Sequence, residues 1–381
     1  GRMQYISGHY SDAKINFEKF LSAENIGKSL IPKAHALLEN CKFAEKAVLT
    51  PVPFDPINMG DSINTADEEY FPAITGDGQT FLFTRNFKAK NAAGVLMFQE
   101  DFFISEKGSK GWKNSYPVSE INTDGNEGAP TLSADGRYLF FTSCAEILEQ
   151  SNQRKTNGSC DLFIAKKVGD KYVNPRNLAA PVNTKIWETQ PSFSSDGRSL
   201  YFVRGVKPGE NCDIYVTRIN DDATWSEPVS VSDKINTSGE EMSVFIHPDD
   251  QTLYFTSDGH PGMGGQDIFY SKRQPNGEWG NPVNIGYPIN TSSNEKSFIV
   301  SPDGKTGFFS STRPGGKGGE DLYQFDLYED ARPKTVTYMK GKVFDDETKA
   351  PLGASFELID LATGKVIVRS TSNSVNGQFI V

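Results

Sequence analysis

The sequence predicts a mainly β fold, and three observations carry the prediction. One spacing occurs five times: Glu69, Glu127, Glu188, Glu241 and Glu295 each stand eight residues before Asp77, Asp135, Asp196, Asp249 and Asp303. An Asn-Thr pair ends four residues before each Glu, at Thr65, Thr123, Thr184, Thr237 and Thr291. An apolar triplet begins four residues after each Asp: Phe81-Leu-Phe, Leu139-Phe-Phe, Leu200-Tyr-Phe, Leu253-Tyr-Phe and Gly307-Phe-Phe. Self-similarity at such a period marks a repeat architecture. Triplets that are apolar throughout mark strands buried on both faces.

A length of 381 residues points to two or three domains. Hydrophobic content of 36% with 35 Gly and 21 Pro suits a strand- and turn-rich chain. Of 39 basic and 49 acidic residues, residues 1–54 and 331–381 each hold seven and five, leaving 25 and 39 between them, a balance of −14. An acidic body without a basic stripe argues against nucleic acid, where Lys and Arg neutralise phosphates; solubility is the simpler meaning of the charge. No apolar run reaches the ~18–20 residues that span a membrane. The start, Gly1-Arg-Met-Gln-Tyr, lacks a signal peptide's regions and falls inside a helical pattern. The chain therefore reads as a fragment, and the missing signal carries no information on compartment.

Residues 1–50 have a helical period. Tyr10, Ala13, Phe17, Phe20 and Leu21 share one face, and Pro32 opens a second helix carrying Ala34, Leu37, Leu38, Cys41 and Ala44. Thr50-Pro-Val-Pro-Phe-Asp-Pro56 stops helix and begins a linker.

Residues 55–330 hold the repeats. Each offers an inner strand after the Glu, an Asp-Gly turn into the triplet, a third strand opening at an Asp (Asp101, Asp161, Asp213, Asp267, Asp321), and a fourth near a Pro-Val. Trp112, Trp225 and Trp279 stand in the turns before that fourth strand. A period of 53–61 residues fits a four-stranded propeller blade. Pro56-Ile-Asn-Met-Gly aligns with Pro282-Val-Asn-Ile-Gly, the fourth strand of one blade, while the last blade lacks its own. Residues 56–60 should therefore complete the last blade and remove the open edges. The prediction is a five-bladed β-propeller with an N-terminal helical segment.

Residues 335–381 alternate in strand fashion between turns, as a β-sandwich that is incomplete.

On these residues three resemblances rest. Gly8-x-Tyr10-x-x-Ala13-x-x-x-Phe17 resembles the middle of a tetratricopeptide repeat, without its leading Trp; such repeats stack on neighbours. The simpler alternative is a helical hairpin packed on the next domain. The Ile-Asn-Thr…Glu…Ser-Pro-Asp-Gly…Gly-Gly-x-Asp-Ile-Tyr pattern resembles the PD40 (WD40-like) repeats of TolB-like and OmpA-family envelope proteins. The C-terminal piece resembles a carboxypeptidase-regulatory-like domain. The order of the three is similar to that of outer-membrane lipoproteins of the Bacteroidetes type IX secretion system. The resemblance implies a periplasmic, outer-membrane-associated scaffold with envelope and secretion-system partners. Peptidoglycan would be bound only through a domain outside this sequence. Propellers host many activities, so the function is an expectation.

Catalysis is not expected, nor a cofactor or metal. The four histidines, His9, His35, His247 and His260, are scattered, and no Gly-x-Ser-x-Gly elbow or Cys-x-x-Cys pair occurs. The loops Gly262-Met-Gly-Gly-Gln and Gly315-Gly-Lys-Gly-Gly are not followed by a Lys-Ser/Thr helix, so they are not phosphate cradles. The five third-strand Asp residues are expected to hold loop N–H groups. The five Glu residues allow two readings. Each caps N–H groups in its own blade, or together they ring the channel mouth and bind a cation or a partner's Lys or Arg. Cys144 and Cys160 flank a polar insertion: either they are free thiols, or a disulfide closes a loop of about 15 residues, worth ~3 kcal/mol in the chain-entropy model. Cys41 and Cys212 have no evident partner. A ligand- or glycan-binding propeller is the second functional reading and a hydrolase the third.

Overall fold

The computed structural model describes residues 1–23, 27–90, 94–144, 154–207 and 209–381. Each repeat is an antiparallel unit of four strands, called blades 1 to 5. Blade 1 comprises Glu68–Ile74, Thr80–Lys90, Leu96–Gly108 and Tyr116–Pro117. Blade 2 comprises Asn126–Leu132, Tyr138–Cys144, Cys160–Val168 and Lys171–Asn177. Blade 3 comprises Trp187–Phe193, Ser199–Gly205, Asp213–Arg218 and Val229–Ser230. Blade 4 comprises Glu241–Ile246, Thr252–Ser257, Asp267–Lys272 and Val283–Asn284. Blade 5 comprises Lys296–Val300, Thr306–Ser311 and Asp321–Asp326, and its fourth strand is Ile57–Asn58 from the far end of the repeat region. Ile57 pairs with Gln324 and Asn58 with Tyr323.

The ring is closed by packing as well as pairing. Buried clusters join blades 1 and 2 (Phe102, Phe141), 2 and 3 (Phe140, Phe202), 3 and 4 (Tyr201, Phe255), 4 and 5 (Tyr254, Phe309), and 5 and 1 (Phe308, Phe81). The apolar triplets supply most of these rings, because an all-apolar strand presents side chains to the blade on each side. The arrangement is mainly β and propeller-like.

Local chemistry repeats with the sequence. In the first turn of blade 2, Ser133 donates to Asp135 Oδ1 at 2.6 Å, the same oxygen accepts the Arg137 N–H at 3.1 Å, and Gly136 takes φ +66°. Thr75, Ser194 and Ser301 do the same with Asp77, Asp196 and Asp303. This is an Asx-type turn that needs Gly at the left-handed position. Blade 4 departs, with His247 for the hydroxyl residue and Asp250 at φ +53° for the Gly. The Asn of each Asn-Thr pair acts as an extra rung of sheet. Asn183 accepts the Leu162 N–H at 2.9 Å and donates to its carbonyl at 2.8 Å, and Asn64 does so with Leu322, across the closure.

Helices Arg2–Ile6, Tyr10–Leu21 and Ile31–Leu49 bury Tyr5, Tyr10, Ala13, Phe17, Ala34, Leu38, Cys41 and Ala44 in one cluster. Met263, from the Gly-rich loop of blade 4, is buried in the same cluster. Tyr5 Oη donates to the Gly264 carbonyl at 3.0 Å, and the Gly262 N–H donates to Asn40 at 3.3 Å. The C-terminal residues form two antiparallel ribbons, Lys340–Lys342 with Gln378–Ile380 and Ser355–Ile359 with Val366–Thr371, in contact through Phe356 and Phe379. They rest on the turns of blades 1 and 2 through Lys340–Asp77, Ser370–Asp135 and Asn373–Gly169.

Candidate functional site

The five Glu residues start from the end of each inner strand. All are buried: Glu69, Glu127, Glu188 and Glu241 are 0% exposed and Glu295 6%. Glu69 Oε2 accepts the Thr65 N–H at 3.0 Å and its Oε1 the Thr65 hydroxyl at 2.6 Å. The same two bonds join Thr123 to Glu127 (2.8 and 2.7 Å), Thr184 to Glu188 (3.1 and 2.6 Å) and Thr237 to Glu241 (2.8 and 2.8 Å). At Glu295 the Thr291 hydroxyl donates at 2.5 Å.

In blades 1, 2 and 3 an arginine then bridges the carboxylate to a carbonyl six residues before it, and in blades 4 and 5 a His and an Arg hold the corresponding carbonyl without touching the carboxylate. Arg85 Nε lies 2.7 Å from Glu69 and its Nη2 donates to the Ile63 carbonyl at 2.9 Å. Arg204 Nε lies 3.1 Å from Glu188 and its Nη2 donates to the Val182 carbonyl at 2.9 Å. Arg154 pairs with Glu127 and donates to the Ile121 carbonyl. In blade 4 His260 Nε2 is bonded to the Ile235 carbonyl at 2.8 Å, beside Glu241, which also accepts the Ser257 hydroxyl at 2.6 Å. In blade 5 Arg313 donates to the Ile289 carbonyl at 3.0 Å and acts on Glu295 through space. Loss of water raises the pKa of Glu69, Glu241 and Glu295, and the bonds from Thr oppose it. Burial likewise lowers the pKa of Arg154 and Arg313.

The reading of Glu69, Glu127, Glu188, Glu241 and Glu295 as a channel-mouth ring is therefore corrected. Each is turned into its own blade, and among the described residues no three His, Cys, Asp or Glu side chains converge to hold a metal. The physical reason is a β-bulge directly after each Glu. It places Phe71, Ala129, Gln190, Ser243 and Ser297 at φ between +47° and +59°. These bulge residues, and not the Glu residues, line the central cavity, with Pro72, Pro130 and Pro191 beside them. That cavity is small, about 70 Å³, and among the described residues no ionisable side chain lines it.

The third-strand Asp residues divide. Asp161 accepts the Asn157 and Gly158 N–H groups at 2.8 and 3.3 Å, Asp321 those of Lys317 and Gly318 at 2.6 and 3.1 Å, and Asp267 those of Met263 and Gly264. Burial drives the pKa of Asp267 well above the carboxylate range. Asp101 and Asp213 depart from the expectation. Asp101 pairs across a hairpin that continues to Lys90 and Leu96, so no loop stands beside it; it accepts from the Gln99 side chain at 3.1 Å. At Asp213 the neighbouring Asn211 and Cys212 N–H groups go to Glu240 instead, at 2.9 and 2.8 Å. Cys144 and Cys160 pair across adjacent strands and form a disulfide; Cys41 and Cys212 are free and buried.

Sequence reasoning missed Arg85, Arg154, Arg204, His260 and Arg313. The signal for two of them was present, since Arg85 and Arg204 each follow their Glu by sixteen residues. It also missed a cavity of about 910 Å³ between the C-terminal ribbons and blades 2 and 3, where Tyr138, Trp225, Arg176 and Arg198 face Val366 and Val368. No span of sequence announces it, because the lobe and the blades meet only in three dimensions.

No protein-family model matches the chain, and no curated protein matches it. Solved structures resemble it distantly. A putative TolB from Agrobacterium tumefaciens is 13% identical over 86% of this chain and 96% of its own, at a TM-score of 0.42. TolB from Acinetobacter baumannii is 13% identical over 79% of this chain and 71% of its own, at 0.43. CoXyl43, a family 43 β-xylosidase/α-arabinofuranosidase from a compost microbial metagenome, is 13% identical over 74% of this chain and 98% of its own, at 0.44. The likeness is of a distant, propeller-like frame and extends to TolB proteins and glycosidases alike.

Proposed function

We propose that the chain is a five-bladed PD40-type propeller acting as a non-catalytic scaffold or adaptor. Its place would be the periplasm, beside the outer membrane, in a secretion apparatus of the type IX kind represented by PorE. Attachment to peptidoglycan would come from a domain outside residues 1–381. The observation that carries the non-catalytic part is the central cavity, whose lining among the described residues has no ionisable side chain while the repeated carboxylates are bonded inside their own blades. A propeller hydrolase of sugars needs two carboxyl groups facing substrate across a cleft. The helices docked on blade 4 and the ribbons docked on blades 1 and 2 favour an adaptor, because they give the ring two further surfaces. A periplasmic address agrees with the disulfide, which persists in oxidising compartments.

One observation favours the second reading, a ligand-binding propeller: the cavity beneath the C-terminal ribbons has the size and mixed lining of a small-molecule site. A pull-down with the whole chain from bacterial envelope extract separates the two. Recovery of secretion-apparatus proteins supports the scaffold, and recovery of a saccharide without them supports the ligand site. Glycoside hydrolysis by the purified chain would contradict both.

A further inference from the structure

The C-terminal ribbons are tied to blades 1 and 2 by polar bonds. Lys340 reaches Asp77, Ser370 reaches Asp135, Asn373 donates to the Gly169 carbonyl and Asn376 to Asp170. Between these props the apolar faces stand apart and enclose the cavity of about 910 Å³. Tyr138 and Trp225 line it from the blades, and Val366 and Leu358 from the ribbons. Val366 and Leu358 are still 38% and 37% exposed, and Tyr338 and Met339, which enter the first ribbon along the same wall, 46% and 49%. Apolar surface is driven out of water, so faces propped apart in this way favour an occupant with an apolar body.

The polar groups of the lining decide what else the occupant carries. Asp135 is spent on Ser133 and Arg137, and Asp196 on Ser194 and the Arg198 N–H. Arg369 is spent on Glu357, with Asp221 nearby. Ser195 is bonded to Asp250 and Asn220 to Thr224. A saccharide, whose hydroxyl groups must each find a partner when buried, meets few free ones there. Two groups are left over. Among the described residues, the guanidiniums of Arg176 and Arg198 have no hydrogen-bond or ion-pair partner, although both line the cavity.

We propose that this cavity binds a single-chain amphiphilic anion of the fatty-acid class. The acyl chain lies between the Trp225 wall and the Val366 wall, and the carboxylate is drawn to the unpaired guanidiniums of Arg176 and Arg198. A guanidinium offers a carboxylate parallel N–H donors that an alcohol cannot use. The volume falls within the range of small-molecule sites, about 300–1,000 Å³. The inference rests on the ligand-binding reading of this cavity and narrows it to one class.

Isothermal titration of the whole chain with decanoate, with 1-decanol and with maltotriose reads the class directly. The expected result is a single decanoate per chain, bound about tenfold or more tightly than decanol, and no heat from maltotriose. Arg176→Gln combined with Arg198→Gln, both at exposed positions, should weaken decanoate by about tenfold or more and leave decanol unchanged. Val366→Asp, which sets a charge in the apolar wall, should weaken both. Decanoate binding that is absent, equal to that of decanol, or unmoved by the two arginine substitutions overturns the proposal. Maltotriose bound in its place would overturn it while sustaining the broader ligand-binding reading, and binding of none of the three would remove both.

Discussion

A carboxylate taken out of water needs hydrogen bonds and a countercharge to remain ionised, and Glu69, Glu127 and Glu188 are given both within their own blades. Asp101 is provided for more thinly. It has one side-chain donor, Gln99, and loss of water, with Glu127 and Asp124 nearby, pushes its pKa up to about 6. A carboxyl raised in the folded state contributes stability that is complete below its unfolded pKa, about 4. That contribution is lost as pH rises through 6. Asp101→Asn should therefore gain on the natural protein between pH 4 and pH 7.5, by about 1–2 kcal/mol after solvent screening. Urea denaturation of both proteins at both pH values reads the difference. A difference that is independent of pH would contradict the assignment.

At this scale the sequence was legible where the interaction is local. The Thr-to-Glu cap spans four residues, so it leaves the same spacing in every copy. The basic residues were harder to see because only Arg85 and Arg204 sit at one offset, whereas Arg154, His260 and Arg313 stand at loop positions of different length. The bulges were not legible at all. Phe71, Ala129, Gln190, Ser243 and Ser297 share no chemistry and none is Gly, so nothing in their types announces a left-handed backbone. Without the bulge, the first residues of the inner strands would be expected at the channel, which is how the Glu ring arose as an expectation.

Among the elements, the strand Ile57–Asn58 and the Asn brackets decide whether the ring is closed. Asn64 satisfies both the N–H and the carbonyl of Leu322, as Asn183 does for Leu162. Asn64→Ala should cost about 2–3 kcal/mol, because two buried groups are left without partners. Asn183→Ala should cost about the same, because a closed ring treats its first junction like any other. A markedly smaller loss for Asn64→Ala would mean that the closure frays. The helical segment was readable by period, and its faces are the ones the sequence marks. Its seat was not readable, since Met263 comes from a loop more than two hundred residues away. Met263→Ala should destabilise that seat by about 2–4 kcal/mol. Amide exchange should then rise in Tyr10–Leu21 and Ile31–Leu49 while the strands of blade 1 are unaffected.

For the whole molecule, the repeated Glu is a part of the frame. The two readings of those residues differ in sign, which makes them separable. Glu188→Gln leaves Arg204 buried without its carboxylate, and the frame predicts a loss of about 3–5 kcal/mol. A ring of five like charges held ready for a ligand predicts the reverse, because neutralising one of them relieves repulsion. The unfolding free energy of Glu188→Gln against the natural chain, by urea denaturation at pH 7, is the deciding measurement. A loss of that size is the predicted result, and unchanged or increased stability would contradict it.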